Sequence, residues 1–572
     1  MQKKRSKGGT MDDDPLAHQI AETYFLASQT DGKDIILKTI SKGPTGYNIT
    51  LLTNGQDPDS INLDFEDKIR IAIEDLGISV KEIQRQKGTP GEFMKTVLDW
   101  EAALNRSLGY NAGNPDNTKE YAPQLLDLAK NMRVSDIHLV PKPLESKGSV
   151  QFRVDGKLRE IARLTGDQFQ ELAKYFHGKL GGVKDGQPTV EGSFNLDAET
   201  QYRLSSMKVG SQGQAKNANG TLYSTVLRLL KTQQVKLHLH DLGYLQRHEQ
   251  RVTDLIHERS GLILATGVTG SGKTTTIATL IEEIWEKSHG ASKIITFEDP
   301  VEYQLRGATQ FKVTANENPK DDDLTFEEAL KNCLRQDPDV IFVGEIRNAA
   351  TAKYAVDAAQ TGHLILATMH AKDVTSAVTR LGLWGIDGPA LNDSLLGIVY
   401  QQLIRKNCPD CLRKRKMTPD EINYFLHMPS LEEFSPEDRK TRQEAYQRLH
   451  ASVHELNVAE STGIVNGIPC EQCEGLKFYG RIPLVQVYTH TMEYAPIISA
   501  IANGDPNGPK LLNEIFSSGQ QIPLAVNALS HLLMFHTSPE ELKEDLPRSH
   551  FKEYAYPVAR ELHSVVNRNG GK

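Results

Sequence analysis

Long apolar runs are missing from this chain. Nowhere do about 18 or more apolar residues follow one another, so no segment is expected to cross a bilayer as a helix. An apolar leader is missing as well. The basic start, Met1 to Ser6, runs into Gly8, Gly9 and three aspartates, Asp12 to Asp14. A signal peptide needs an apolar stretch there, and the chain is therefore expected to stay in the cytoplasm. A basic excess is also absent: 66 Lys and Arg face 74 Asp and Glu, a net charge of −8. That balance tilts against a general nucleic-acid binder, although residues 405–416 are locally basic. Cysteine is scarce, five in 572 residues, too few for a disulfide framework. No repeat of solenoid period stands out. What is present is an ordinary globular composition, 38% hydrophobic and 24% charged, in a chain long enough for three or so domains.

Residues 1–112 carry little chemical signal. Amphipathic helical stretches at 69–76 and 93–104 accompany a turn-rich segment at 43–60, which reads as a small docking domain. Residues 111–117, with Gly and Pro among polar residues, read as a linker. From 118 to 235 the texture is α+β. A helix-like stretch at 121–132 leads into the alternating Val134-Ser-Asp-Ile-His-Leu-Val140. Val150-Gln-Phe-Arg-Val154 follows, then Asp155-Gly156 and Lys157-Leu-Arg-Glu160, a hairpin signal. Further strands are expected at 202–207 and 223–230. From 240 onward, short apolar strands at 261–266, 293–297, 340–343 and 364–367 alternate with helical segments. That alternation predicts an α/β core with a mostly parallel sheet and helices on both faces. Residues 416–465 are charged and helix-like.

Gly267-Val-Thr-Gly-Ser-Gly-Lys-Thr274 satisfies G-x-x-x-x-G-K-[ST] at every fixed position, between a predicted strand and a predicted helix. Glycine permits a tight loop whose backbone N–H groups turn inward on phosphate oxygens. The helix N-terminus that follows adds its partial positive charge. Gly267, Val268, Thr269, Gly270, Ser271, Gly272, Lys273, Thr274 and Thr275 are thus the expected ATP-binding residues. Lys273 can reach the terminal phosphates, and the Thr274 hydroxyl can ligate Mg2+.

Two strands that end in acids lie downstream, Ile294-Ile-Thr-Phe-Glu-Asp-Pro-Val-Glu302 and Asp337-Pro-Asp-Val-Ile-Phe-Val-Gly-Glu345. The carboxyl ends of parallel strands face the ligand crevice, so Glu298, Asp299 and Glu345 should converge near the γ-phosphate. One acid is needed to orient or deprotonate the attacking water and another to hold hydrated Mg2+. Thr361-Gly-His-Leu-Ile-Leu-Ala-Thr-Met-His370 places His363 and His370 at the two ends of a core strand. They are candidates to sense the γ-phosphate or to link subunits.

Cys408-Pro-Asp-Cys411 and Cys470-Glu-Gln-Cys473 are two C-x-x-C pairs separated by residues 412–469. Four thiolates can close a tetrahedral Zn2+ sphere, so the pairs read as a structural zinc site, with a redox dithiol as the competing reading. Cys333, in a helix-like run, reads as a small buried hydrophobe.

Taken in order, several motifs resemble the type II/type IV secretion ATPase family, the motor ATPases of type IV pilus assembly and type II secretion. They are the phosphate loop, Glu298-Asp-Pro-Val-Glu-Tyr303, Leu334-Arg-Gln-Asp-Pro-Asp339, Gly344-Glu-Ile-Arg347 and Thr361-Gly-His363. Ser135-Asp-Ile-His138, Phe152-Arg-Val-Asp-Gly156 and Asp241-Leu-Gly243 match upstream, so the likeness covers about 120–500. The resemblance implies a RecA-like P-loop core at 240–572, a preceding PAS-like α+β domain at 118–235 and a separate N-terminal domain at 1–112. It implies a homohexameric ring that uses ATP, Mg2+ and Zn2+. The partners it implies are a polytopic inner-membrane platform protein and other pilus or secretion components, with the motor peripheral to the inner membrane. Arg203 and Arg228 match strand positions from which the family supplies arginines to nucleotide. A guanidinium fork there stabilises charge spread over phosphoryl oxygens. Retraction motors of the family typically lack both the cysteine pairs and a long N-terminal region, which points here to an assembly or export motor, with pilus assembly preferred over type II export. A RecA-like nucleic-acid motor is the rival of another class. Three departures stand out: Glu191-Gly-Ser-Phe-Asn-Leu196 replaces an arginine-rich strand, Asn348 replaces an acid, and Gln402 replaces the arginine of Gln-Arg-Leu.

Overall fold

The structure is a computed structural model. It describes the backbone of 35–43, 46–54 and 80–88, together with residues 118–142, 147–181, 187–196, 200–209, 223–231, 238–313, 324–425, 456–465, 468–470, 472–473 and 475–554. The helical expectations at 69–76 and 93–104 and the linker at 111–117 lie outside these residues. Two compact units make up the chain, one built on residues up to 188 and a larger one built on 226–461 and 478–572.

In the first unit, β1 (Ile35–Gly43) and β2 (Gly46–Asn54) pair antiparallel, and β3 (Val80–Gly88) runs parallel to β2. The stretch expected to be turn-rich therefore holds a strand, because Tyr47, Ile49 and Leu51 recur with the period of two that suits a pleated backbone. Helix α1 (Thr118–Asn131) buries Tyr121, Ala122, Leu125, Leu126 and Ala129, one helical face. The strands β4 (Val134–Lys142), β5 (Lys147–Val154) and β6 (Lys157–Thr165) form an antiparallel meander. Asp155 (φ 48°) and Gly156 (φ 89°) make the two-residue turn, with the positive φ at both positions that matches strand twist. A reciprocal cap between Thr165 and Gln168 starts α2 (Gly166–Gly178).

Three strands follow: β7 (Thr189–Asn195), β8 (Thr200–Lys208) and β9 (Tyr223–Lys231). In β8 the residues Thr200, Tyr202, Leu204 and Ser206 are buried, which turns Arg203 outward.

The larger unit continues with α3 (Gln246–Leu255), β10 (Gly261–Thr266), α4 (Lys273–Lys287), β11 (Ile294–Glu298), β12 (Ala308–Lys312), α5 (Phe326–Cys333), β13 (Val340–Val343), α6 (Ala349–Gln360), β14 (Leu364–Met369), α7 (Val374–Leu383) and α8 (Gly388–Ser394). After these come β15 (Leu395–Asn407), β16 (Leu412–Lys416), α9 (Pro419–Phe425), β17 (Asn457–Ser461) and, past the short β18 (Ile464–Val465) and β19 (Ile468–Pro469) that group with the first unit, β20 (Phe478–Thr489). Helices α10 (Ala495–Ala502), α11 (Gly508–Ser518), α12 (Leu524–Leu533), α13 (Pro539–Asp545) and α14 (Arg548–Glu553) close the unit.

Its sheet has the order β12-β11-β13-β14-β10-β15-β20, parallel except for the β15–β20 pair. Both faces are covered. Leu262 and Leu264 point into one apolar cluster, Ile263 and Ala265 into the other, so the central strands read as unbroken apolar runs. Because β10, β11, β13 and β14 are parallel, Thr266, Glu298, Val343 and Met369 end at one edge of the sheet. Among the described residues no helix is long and apolar enough to cross a membrane.

Candidate active site

The loop between β10 and α4 is shaped by three glycines with positive φ, Gly267 (147°), Gly270 (76°) and Gly272 (89°). Space requires the first of them as well: a Cβ on Gly267 would sit 2.2 Å from the Gln401 carbonyl oxygen. Gln401, reaching in from β15, braces the loop from below. Its Nε2 donates to the Ser271 carbonyl at 2.7 Å, and its Oε1 accepts from Thr276 Oγ1 and from the Tyr244 hydroxyl, both at 2.9 Å. Gln401, Thr276, Ser271 and Tyr244 are all buried. Neither Gln401 nor Tyr244 carries a catalytic signature in the sequence, since both act through neutral hydrogen bonds.

Lys273 opens α4 and is itself buried, with Nζ donating to the carbonyls of Gly267 at 2.9 Å and Val268 at 3.0 Å. Burial pulls its pKa below the ordinary lysine value, opposed by the charges of Glu345 and Glu302. Val268 at the loop's apex is exposed, whereas the Ser271 hydroxyl is buried and has no hydrogen-bond partner. Inward-turned glycine backbone, an ammonium and an unsatisfied hydroxyl fit a polyphosphate.

The acids arrive from three places. Glu298 closes β11, 3% exposed, and its Oε1 accepts from Thr296 Oγ1 at 2.7 Å and from Gln310 Nε2 at 2.9 Å. Burial raises its pKa against those bonds. Glu302, on the loop after β11, faces the Thr274 side chain. Burial also raises its pKa, while Thr274, Arg228, Lys273 and Arg203 pull it down. This pairing of a hydroxyl with a carboxylate presents the hard oxygen ligands that suit Mg2+. Glu345 follows β13. Its Oε2 accepts from Arg347 Nε at 2.8 Å, and its Oε1 lies 3.2 Å from His370 Nε2. His370 follows β14; burial lowers its pKa, and the nearby Gly267 backbone opposes that shift.

The structure thus brings Lys273, Glu302, Glu345 and His370 to one edge of the sheet, with the charges of Arg203 and Arg228 reaching Glu302 from within the same chain. It does not bring His363 there. That residue precedes β14, about 20 Å of strand from His370, and its Nδ1 lies 3.0 Å from the Ala358 carbonyl. Glu302 stands inside the acidic motif, but spacing alone does not rank it above Asp299; its burial beside Thr274 and Lys273 does.

Cys408, Cys411, Cys470 and Cys473 are buried, and their four sulfurs all lie within 4.8 Å of one another. Tetrahedral zinc with Zn–S near 2.3 Å sets sulfurs about 3.8 Å apart, so the donor set fits a metal. A redox pair would need two thiols, not four. Ser461 Oγ ties β17 to the Cys408 carbonyl at 3.0 Å. Cys333 packs in the core, its thiol pushed up to about 11 by burial.

A family model described as "Type II/IV secretion system protein" matches residues 118–507. The chain belongs to this family. It is 33% identical over 366 residues to "Type II secretion system protein E" of Pectobacterium carotovorum, covering 63% of this chain and 62% of that protein. It is 31% identical over 392 residues to "Type IV pilus assembly ATPase PilB" of Thermus thermophilus, covering 68% of this chain and 38% of that one. Among solved structures, the ATPase DotB of Legionella pneumophila aligns with a TM-score of 0.49 at 18% identity, over 74% of this chain and 95% of that chain. The match therefore spans less than two thirds of the length of either curated relative.

For a type II/IV secretion system protein, the sequence departures have local explanations. Asn348 caps α6, its side chain accepting from Thr351 N–H at 2.8 Å, a task asparagine performs as well as an acid. Gln402 accepts from the Tyr400 hydroxyl at 3.1 Å. On β7, Phe194 stacks on Tyr202 at 5.4 Å and Glu191 accepts from the Ser205 hydroxyl, contacts that need no arginine on this strand.

Proposed function

We propose that this chain is an ATPase whose turnover powers type IV pilus assembly at the cytoplasmic face of the inner membrane, working as a homohexamer. The observation that carries the reading is the glycine-shaped phosphate loop with Lys273 Nζ turned into it, where the charges of Glu345 and Glu302 act on the ammonium. In this proposal Lys273 and the loop N–H groups bind the phosphates, and Thr274 with Glu302 holds Mg2+. Bound Mg2+ would supply charge neutralisation across the phosphate oxygens. Glu345, braced by Arg347 and His370, orients the attacking water and takes its proton. Glu298 is assigned here to holding the acidic loop.

Arg203 and Arg228 stabilise the phosphoryl charge in this account, and His363 is left for contact with a neighbouring subunit. Cys408, Cys411, Cys470 and Cys473 hold a structural Zn2+. The division at 1–112, 118–235 and 240–572 assigns docking, arginine supply and catalysis to successive domains. The partner is a polytopic inner-membrane platform protein, with no nucleic acid required. A second reading, export through a type II secretion system, draws support from the relatives of that name at 33–37% identity.

A chromosomal Glu345→Ala allele in the source organism tests the choice. Loss of surface pili with secreted enzymes intact is expected. Loss of secretion with pili intact would transfer the chain to the second reading, and no change in either would overturn both.

A further inference from the structure

Gln310 stands on β12 opposite Thr296 of β11, and its amide has three partners. Nε2 donates to Glu298 Oε1 and to the Tyr303 carbonyl, both at 2.9 Å, while Oε1 accepts from Leu305 N–H at 3.0 Å. These partners fix the orientation of the amide. Reversed, it would set its oxygen against a carboxylate and a carbonyl, and its NH2 against an N–H.

Glu298 is equally committed. Besides Gln310 it accepts from the Thr296 hydroxyl, and the backbone of Glu302 faces it closely enough to pull its pKa down. Its carboxylate therefore ties the end of β11 to the loop that follows. Four residues on, Glu302 turns its own carboxylate to Thr274, and the next residue, Tyr303, meets Thr275 Oγ1 through its hydroxyl at 2.9 Å. Gln310 thus latches residues 303–305 from one side and α4 latches them from the other, with Glu302 at the point between.

We propose that Gln310 is a positioning residue: through Glu298 and the Tyr303 carbonyl it fixes the loop that presents Glu302 to Thr274. This rests on the reading of the site as one that hydrolyses ATP. The loop has a second tether. Arg306 donates to Glu282 from its backbone N–H at 2.7 Å and its Nε at 2.6 Å, with its guanidinium 5.1 Å from the Trp285 ring centroid. Losing Gln310 therefore loosens the placement of Glu302 without freeing the segment from α4.

The test compares full-length wild type, Gln310→Ala, Gln310→Glu and Lys273→Ala. Phosphate release is measured at saturating Mg2+ and ATP from about pH 5 to about pH 9, with melting temperatures and affinity for a fluorescent ADP analogue alongside. Gln310→Ala is expected to lower kcat by about tenfold or more, with KM within about twofold and little change in melting. In Gln310→Glu the new carboxyl can donate to Glu298 only while protonated, so its activity relative to wild type should rise as pH falls. Gln310→Ala offers no donor at any pH and should show no such rise. Wild-type kcat in Gln310→Ala, or a Gln310→Glu ratio that stays flat across pH, would overturn the proposal. A fall in melting temperature that tracks the fall in rate would reduce Gln310 to a stability role and overturn it too. Wild-type turnover no greater than that of Lys273→Ala would sink the hydrolysis reading, and this inference with it.

Discussion

Glu302 faces Thr274, whose hydroxyl a phosphate loop offers to a divalent cation and which here opposes the rise in the Glu302 pKa that burial causes. This proximity links the loop after β11 to the first turn of α4, and it singles out one acid among several. Replacing Glu302 with alanine should cut Mg2+-dependent turnover by about a hundredfold or more. Nucleotide binding without Mg2+ should change little, because Lys273 and the loop backbone are untouched. Burial raises the Glu302 pKa, so the carboxylate takes up its proton at a higher pH than an exposed glutamate. A proton therefore competes with Mg2+ for this carboxylate, and the Mg2+ concentration needed for half-maximal turnover should rise as pH falls. A Mg2+ titration of the wild-type rate at several pH values, beside a binding titration of the variant, checks both statements.

Beneath the loop, Gln401 satisfies two buried hydroxyls and one carbonyl. Gln401→Leu removes the Ser271 carbonyl's partner and leaves the Tyr244 and Thr276 hydroxyls only each other, 3.2 Å apart, and should cost on the order of 2 kcal/mol of stability. Tyr244→Phe removes one donor and should cost about 1 kcal/mol. Thermal melting ranks the two variants, and the KM for ATP should rise with the first. Equal melting temperatures in all three proteins would contradict the bracing role.

His248 and His531 are held neutral in the core of the larger unit. Burial lowers each to about 3, with Arg251 and Arg247 adding to the effect at His248, and His536, His248 and Lys406 at His531. Unfolded histidine binds its proton near pH 6.5, so between that pH and about 3 the unfolded chain binds more protons than the folded one. Stability is therefore full above about pH 6.5 and is lost as pH falls, at up to about 1.4 kcal/mol per pH unit for each residue. Denaturant unfolding at a series of pH values measures the slope. His531→Asn should flatten it.

How much of this was legible in the sequence differs by element. Val340–Val343 and Gly261–Thr266 are bounded as expected, because a parallel strand buried on both faces leaves a short, unbroken apolar run. The long antiparallel pair Leu395–Asn407 and Phe478–Thr489 was not anticipated as strands, since their pairing depends on contacts across about eighty residues that no local pattern records. At the site, the loop and the acidic strand ends could be read directly. Gln310, Gln401 and Tyr244 could not, because a neutral amide or phenol reveals its task only through its partners. The two histidines around β14 looked equivalent in the sequence, yet strand direction sets only His370 beside the phosphate loop.

The cysteine cluster predicts metal. Purified protein should carry about one zinc per chain. Cys470→Ser should lose it and melt at a lower temperature, and wild type should release the ion when its thiols are titrated. A metal-free wild type with the same melting curve as Cys470→Ser would contradict the assignment.

The most direct test of the account is phosphate release by the full chain with ATP and Mg2+, set against Lys273→Ala and Glu345→Ala. The account predicts wild-type turnover and a loss of about a hundredfold or more in each variant, with unchanged folding by circular dichroism. Turnover near wild type in both variants would contradict it.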